Sequence, residues 1–310
     1  MTRPTPRAAL ALALAVATAL PAPAPALAAD PAPFAAEARE FRLRREAALR
    51  ADDGWLTLVD LAWLKPGASA VGSAPGAAVR LPDRAPAAVG TLTLASDDPK
   101  AEARFQPAPG AAVRLNGQPF PGGPIRSDAD GARADVLAIG DLRLTLLRRN
   151  DRFAVRVKDN ASPARARFGG CRWYDPDPSW QVVARFAPHP VPKTIKFATI
   201  VGGEDVMPSP GTATFERDGR SYTLEAAAEP DGRLWFVFRD ATAGTATAAN
   251  GRQLTADAPI GDVVVLDFNR AINLPCAYVE HATCPIPPDA NRLPIPVPAG
   301  EKLPAPPRAD

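Results

Sequence analysis

Short runs of alternating or nearly continuous hydrophobic positions along the chain predict β-strands. The runs are residues 55–59, 91–94, 142–146, 153–157, 212–215, 222–224, 234–238 and 263–268. Turn sequences such as Asp218-Gly219 and Pro230-Asp231-Gly232 separate neighbouring runs. Short strands at regular spacing with such turns predict an all-β, mainly antiparallel protein. We expect one β-sandwich followed by a second sandwich or barrel-like unit.

One amphipathic helix is predicted before these strands. Its approximate apolar stripe consists of Phe34, Ala38, Phe41, Ala48 and Leu49, with Glu and Arg residues between them. The spacing predicts a helix over residues 34–51, and Asp52-Asp53-Gly54 ends it.

The start of the chain has the pattern of a secretory signal. Arg3 and Arg7 precede the apolar run 8–20, and a Pro/Ala stretch ends in Ala26-Leu27-Ala28-Ala29. A charged start, a short apolar run and an A-x-A site predict a signal peptide over residues 1–28. The run is short for a bilayer, so we expect a periplasmic or secreted mature protein without a membrane span.

The remaining chain is predicted to contain four parts. These are a helical segment at 29–53, a β-sandwich at 54–162, a second β domain at 163–302 and a tail at 303–310.

Composition excludes several classes of function. Lys and Arg number 36 against 34 Asp and Glu, a net charge of +2, which argues against a nucleic-acid partner held by bulk electrostatics. Two His and three Cys exclude a multi-His metal centre, and we predict no metal or cofactor. The chain has no G-x-S-x-G elbow and no phosphate-binding glycine loop after a strand, which disfavours α/β-hydrolase and nucleotide-binding folds.

The densest polar cluster follows the last apolar strand. Asp267, Asn269, Arg270 and Asn273 crowd into its exit. The planar guanidinium of Arg suits a carboxylate or phosphate, so the cluster predicts an anion site. The alternative is that Asp267 and Arg270 pair with each other and Asn273 caps a turn.

Two further segments could contribute to this site. Trp173 and Tyr174 stand beside two carboxylates, a combination that suits a ligand pocket or, alternatively, a packed turn between domains. Asp240 and Arg252 follow the strand at 234–238. If that strand neighbours 263–268, they would face Asp267 and Arg270.

Cys276 and Cys284 flank a short loop that contains His281. In an exported protein, the pair predicts a disulfide closing this loop. A zinc site lacks a fourth ligand and the usual spacing, and a Cys nucleophile with His281 as base is a third alternative. Cys171 would remain an odd, buried thiol.

Five segments resemble the bacterial and archaeal family called domain of unknown function 1684. They are residues 54–58 with 63–64; 151–159; 168–170 with 173–174 and 177–178; 266–276; and 283–288 with Asn291 and 299–302. The resemblance implies no activity, because the family is uncharacterised. Members without export signals also carry the cysteine pair, which implies structural thiols as the alternative to a disulfide.

The region 64–89 resembles a forkhead-associated β-sandwich through Val71-Gly72-Ser73 and Val79-Arg80-Leu81-Pro82. Ser73 stands where phosphothreonine-reading domains carry Arg, and no Ser-x-x-His follows Pro82. The resemblance therefore implies the sandwich and not phosphothreonine binding.

We predict that the second β domain binds a small anionic ligand. Arg252 and Arg270 would contact the anion, Asp267 and Asn269 would orient it, and Trp173 or Tyr174 would wall the pocket. Asn273 is a further predicted ligand-binding residue.

The alternative is a hydrolase that uses Asp240 or Asp267 as general base, with Arg270 stabilising developing negative charge. A structural or envelope-interaction protein, suggested by the Pro-rich tail, is a further alternative. The sequence predicts no oligomeric state.

Overall fold

The computed structural model describes residues 31–96, 98, 101–128, 133–149 and 152–305. The predicted signal peptide at 1–28 lies outside the described residues, as do positions 306–310 of the predicted tail. Within the described part of the chain, no helix has the length and apolar character needed to cross a bilayer.

The described residues form two α-helices and nineteen short or medium strands. The helices are α1 (Pro31–Arg50) and α2 (Pro163–Arg167). The strands of the first half are β1 (Leu58–Trp63), β2 (Gly67–Gly72), β3 (Val79–Arg80), β4 (Gly90–Leu94), β5 (Ala103–Pro107), β6 (Arg114–Leu115), β7 (Gln118–Pro119), β8 (Gly123–Ile125), β9 (Val136–Ile139), β10 (Leu142–Arg149) and β11 (Arg152–Asp159). Those of the second half are β12 (Gln181–Ala198), β13 (Glu204–Arg217), β14 (Arg220–Glu225), β15 (Ala227–Ala228), β16 (Leu234–Phe238), β17 (Arg252–Ala256), β18 (Val263–Asp267) and β19 (Ile272–Asn273).

The first half is a sandwich of two sheets. Their strand orders are β1-β11-β10-β9-β6-β7 and β3-β2-β4-β5-β8. Inward-facing side chains of both sheets share one core, in which Leu92, Phe105, Leu144 and Val155 are buried. The predicted strand at 55–59 begins later, at Leu58, because residues 55–57 form a turn of 3-10 helix after Gly54.

The second half also has two sheets, ordered β14-β13-β12-β18 and β15-β16-β17-β19. Phe268 lies at the centre of their shared core and contacts the rings of Trp180, Phe215 and Phe238. The predicted turn between β13 and β14 is present, with positive φ at Asp218 and Gly219, as a tight two-residue hairpin requires. The expected fold class, all-β and mainly antiparallel with one N-terminal helix, is confirmed.

Helix α1 packs against the second half, although it precedes the first half in the chain. Phe34, Ala38 and Leu49 of the predicted stripe are buried, whereas Ala48 is exposed. Arg42 donates to the Tyr174 carbonyl at 2.7 Å. The helix therefore brings its polar residues to the segments on which the predicted site depends.

A third apolar cluster connects the two halves. It joins Leu58 of β1 to Phe197 of β12, Val237 of β16 and Cys284. Helix α2 starts between the halves, where the Ser162 hydroxyl accepts a hydrogen bond from the Arg165 amide and caps the helix. The division into domains at 162/163 stays a prediction.

Candidate functional site

The predicted polar cluster at the end of β18 makes bonds within the protein. Asn269 is 2% exposed, and its amide clamps the Asp177 backbone: Oδ1 accepts from the Asp177 amide and Nδ2 donates to the Asp177 carbonyl, both at 2.9 Å. Asp267 accepts from the Asn269 amide at 3.1 Å. Asn269 therefore fixes a turn. Its side chain is not accessible from solvent, so it is not placed to contact a ligand as predicted.

Arg252 and Asp240 form an ion pair in the interior. The two side chains are 1% and 2% exposed, and Nη2 of Arg252 lies 2.6 Å from Oδ2 of Asp240. Arg252 also donates to the carbonyls of Val297, at 3.0 Å, and Ala299. This pair ties the 297–301 segment to β17, so Arg252 is not placed to contact an anion and Asp240 is not placed to act as a general base.

The predicted meeting of the two polar strand ends does not occur. β16 pairs with β15 and β17, while β18 pairs with β12 in the other sheet. The expectation that Asp240 and Arg252 face Asp267 and Arg270 failed because it assumed that β16 and β18 are neighbours.

Arg270 is partly exposed, at 42% of its side chain, and is neutralised by carboxylates. Its guanidinium lies 3.3 Å from Asp267 and 3.8 Å from Glu37 of α1. It lines a cavity of about 510 Å³ whose wall also contains Arg233, Asp257 and Asp267. Positive and negative charges therefore balance in this wall.

Trp173 and Tyr174 pack between α1 and the 300–302 segment. Arg42 lies over the Trp173 ring at 5.2 Å, and the Lys302 ammonium lies over the Tyr174 ring at 4.6 Å. The Tyr174 amide donates to the Gly300 carbonyl at 3.0 Å. This is the packed-turn alternative rather than the wall of an open pocket.

The three cysteines are free thiols in the structure. The predicted disulfide is not formed, but the Cys276 amide donates to Sγ of Cys284 at 3.1 Å, so the pair is in contact. His281 lies 3.9 Å from Asp60. Among the described residues, no three His, Cys, Asp or Glu side chains are grouped so that they could hold a metal ion.

A second cavity of about 510 Å³ opens between residues 168–172 and the turn Ala277–Tyr278, and we call it the cleft. Its wall consists of Leu56, Ala164, Arg167, Phe168, Gly169, Gly170, Cys171, Arg172, Ala277, Tyr278, Pro304 and Ala305. Two guanidinium groups, those of Arg167 and Arg172, and no carboxylate belong to this described wall.

The loop that forms one side of the cleft is fastened to α1. The Cys171 amide donates to Oε1 of Glu46 at 2.9 Å. Gly170 has a φ of +106°, and a Cβ at this position would lie 3.2 Å from the same carboxylate. Glycine is thus needed both for its backbone conformation and for the close approach of Glu46.

Aromatic contacts complete the apolar side of the cleft. The rings of Phe168 and Tyr278 meet edge to face with centroids 5.8 Å apart. Arg50 of α1 lies over Phe168 at 4.6 Å. Each contact restricts the rotamers of the two rings, so the wall is preformed.

A buried polar network lies directly behind Cys171. Glu301 is fully buried, and its Oε2 accepts from the Asn273 amide at 2.9 Å and faces Nε of Arg45 at 3.5 Å. The Tyr278 hydroxyl donates to Sγ of Cys171 at 3.3 Å. Asn273 therefore lies behind the cleft wall, in the network, and not in contact with the cavity.

Burial raises the pKa of Glu301 above its ordinary value, although the nearby Arg45 opposes this. Burial, assisted by the adjacent Glu301 carboxyl, also raises the pKa of the Cys171 thiol. Cys171 is therefore a protonated thiol at neutral pH, which is unsuited to nucleophilic attack.

Sequence reasoning missed Glu46, Arg45, Phe168, Tyr278 and Glu301 as site residues. Phe168 and Glu301 stand inside segments that carried the family resemblance, and this was the available signal. Their meeting depends on tertiary contacts that no local pattern encodes.

Comparison with known proteins gives a family match in the second half of the chain. A family model described as "Protein of unknown function (DUF1684)" matches residues 166–302. An uncharacterized protein of Haloarcula marismortui with a solution NMR structure is 33% identical over 44% of this chain and 78% of that chain, with a TM-score of 0.37. No curated protein matches this chain. The family match does not extend to residues 54–162, so the forkhead-associated resemblance stays a prediction.

Proposed function

Because the chain belongs to the DUF1684 family, which has no known activity, we propose its function from its own geometry: it binds a small anionic molecule in the cleft. The observation that supports this proposal is the combination of a concave, partly apolar wall with the Arg172 side chain and no carboxylate among the described lining residues. Function depends on the groups that a site presents and not on the fold that carries them.

Charge favours the cleft over the cavity beside Arg270. Two unit charges 4 Å apart interact by about 4 kcal/mol at an effective dielectric constant of about 20. An anion beside Arg270 would also meet Asp257 and Asp267 in the same wall, and their repulsion offsets the attraction. The described wall of the cleft contains no carboxylate, although the Glu46 carboxylate accepts from the Cys171 amide of the same loop.

Size and shape indicate the class of ligand. Pockets for small molecules measure roughly 300–1,000 Å³, and the cleft, at about 510 Å³, falls within this range. Phe168 and Tyr278 present ring surfaces to one side of it. We therefore propose a carboxylate or phosphate attached to an apolar or aromatic body.

Binding is favoured over hydrolysis by the state of the candidate catalytic groups. Asp240 is held in a buried ion pair with Arg252, and Asp267 pairs with Arg270 at 3.3 Å and accepts from the Asn269 amide. Neither group is available to abstract a proton or attack a substrate at neutral pH.

Thermal unfolding of the purified protein tests the proposal, because a ligand that binds only the folded state raises the melting temperature. The probes are inorganic phosphate, benzoate and phenyl phosphate. We expect phenyl phosphate or benzoate to shift the transition of the wild type and of Arg270→Ala, but not that of Arg172→Ala. The two variants are matched, since each removes one partly exposed guanidinium.

Two results would contradict the cleft assignment. A shift that survives in Arg172→Ala and disappears in Arg270→Ala would place the site in the other cavity. The absence of any shift in the wild type would favour the structural or envelope-interaction alternative.

The Arg172→Ala variant should keep the local backbone structure. The Arg172 carbonyl accepts from the Lys302 amide at 2.8 Å, and truncating the side chain leaves this bond in place.

We also propose that residues 1–28 direct export, as their sequence pattern indicates. N-terminal sequencing of protein recovered from a periplasmic extract should then begin at Ala29. An intact N-terminus in the cytosolic fraction alone would contradict export.

A further inference from the structure

A second chemically distinctive group is the pair of thiols on the loop after β19. Cys276 lies in the 3-10 turn Pro275–Ala277, next to the residues that enter the cleft wall. Cys284 lies at the far end of the same loop and belongs to the apolar cluster that joins the two halves. The binding proposal uses neither thiol.

The two sulfur atoms are placed for bond formation. Sγ of Cys284 is 3.1 Å from the backbone nitrogen of Cys276 and accepts a hydrogen bond from that amide. A disulfide forms only when two Cys backbones lie within a narrow distance range. Because one sulfur already contacts the other residue's backbone, side-chain rotation can bring the two sulfur atoms together.

The two thiols differ in accessibility. Cys276 is partly exposed, and Nδ2 of Asn250 donates to its sulfur at 3.6 Å. Cys284 is only 3% exposed and packs among apolar residues such as Leu58 and Val279. An external reagent can therefore reach Cys276 first.

We infer that Cys276 and Cys284 form a reversible thiol–disulfide couple, in which Cys276 reacts with an external disulfide and Cys284 resolves the mixed disulfide. The oxidant class is a low-molecular-weight disulfide. This inference is independent of what the cleft binds.

The ionisation of the two thiols supports these roles. The hydrogen bond from Cys284 outweighs burial and, together with Asn250, lowers the pKa of Cys276 to about 7. The same hydrogen bond and burial raise the pKa of Cys284. A thiol whose pKa is close to the ambient pH is the most effective attacking group in thiol–disulfide exchange.

The exchange balances in two steps. The Cys276 thiolate attacks one sulfur of the external disulfide, which forms a mixed disulfide and releases one thiolate. Cys284 then loses its proton and attacks the Cys276 sulfur, which forms the Cys276–Cys284 bond and releases the second thiolate. The protein loses two electrons and two protons, and the external disulfide is reduced to two thiols.

The test uses the reduced full chain with glutathione disulfide as the probe. After incubation, acid quenching and alkylation of the remaining thiols, peptide mass spectrometry identifies the state of each cysteine. In the wild type we expect one internal disulfide, Cys276–Cys284, with Cys171 still alkylated. Dithiothreitol should reverse it. Cys171→Ala serves as the matched control and should behave as the wild type does.

Single substitutions assign the roles. In Cys284→Ser, the glutathione adduct should accumulate at Cys276, because no resolving thiol is present. In Cys276→Ser, adduct formation at Cys284 should be at least about tenfold slower, because that thiol is buried and largely protonated. Equal rates in the two variants would overturn the assignment of roles. A wild type that forms no internal disulfide in excess oxidant would overturn the couple itself.

A measurement on the wild type covers the case in which a variant fails to fold. Iodoacetamide should modify Cys276 at least about tenfold faster than Cys284 or Cys171 in the native protein. Comparable rates for Cys276 and Cys284 would contradict the inference.

Discussion

Replacing Arg252 by methionine should lower the free energy of unfolding by about 4 kcal/mol. The loss is structural, because Arg252 is not placed to contact a ligand. The substitution removes a guanidinium that is 1% exposed and lies 2.6 Å from Asp240. It leaves the Asp240 carboxylate buried without its counter-charge and removes the donor to the Val297 carbonyl. Methionine keeps an apolar side chain of similar length, so a large cavity does not contribute.

The magnitude follows from the burial of the pair. Removing one partner of a buried ion pair costs about 3–5 kcal/mol, because the remaining charge is left unpaired. Asp240 retains bonds from the amide and hydroxyl of Thr242, at 2.7 and 2.5 Å, which keeps the expected loss near the middle of that range. With a urea dependence of about 2 kcal/mol/M, the unfolding midpoint should fall by about 2 M.

Urea unfolding followed by tryptophan fluorescence measures this loss. The double variant Arg252→Met/Asp240→Asn should recover part of the stability, because it no longer contains an unpaired buried charge. A loss below about 1 kcal/mol in Arg252→Met, combined with a lost response to anions, would refute the structural role of Arg252. It would instead support the sequence-based prediction that this residue binds the ligand.

Three further perturbations test separate parts of the structure. Asp135→Asn should destabilise the first half by about 1–3 kcal/mol at pH 7. Burial raises the pKa of Asp135, but hydrogen bonds from Arg126 and Asn116 outweigh it and lower the pKa overall, so the wild type loses its stability advantage as the pH falls below about 4. Urea unfolding at several pH values measures this, and a stability difference that does not change with pH would contradict the reasoning. Gly170→Ala should cost about 1–3 kcal/mol through its positive φ and should weaken ligand binding; unchanged melting temperatures with and without ligand would contradict the description of the loop. Oxidation of Cys276 and Cys284 should raise the free energy of unfolding by about 2–3 kcal/mol through loop closure, measured by urea unfolding of oxidised and reduced protein, and a destabilised oxidised form would show that bond formation distorts the loop.

Local hydrophobic patterns were sufficient to predict eight of the nineteen described strands, at least in part. β4 alternates exposed Thr91 and Thr93 with buried Leu92 and Leu94, as the sequence indicates. The long strand β12 was not predicted, because Pro188, Pro190 and Pro192 interrupt its pattern and proline cannot donate to a sheet. The structure accommodates them with a shift in pairing register between Pro188 and Lys193.

The site was harder to predict than the fold. The sequence correctly indicates that polar residues crowd the end of β18, and the alternative pairing of Asp267 with Arg270 is present. The sequence does not indicate that Arg252 donates its hydrogen bonds to backbone carbonyls of a segment far along the chain. Solvent access decides between structural and binding roles, and access is a property of the tertiary structure.

The position of α1 has a consequence for the order in which the protein matures. This helix is synthesised before the first sandwich, yet Arg45 bonds to the Asn273 carbonyl across 228 positions of sequence, at 3.0 Å. Contacts between such distant positions form late in folding, because the intervening chain must first be organised. A nascent chain that ends before residues 299–302 lacks Glu301, so the buried charge of Arg45 has no counterpart and the wall behind Cys171 is incomplete. The wall behind Cys171 is therefore complete only after the 299–302 segment has joined the folded chain.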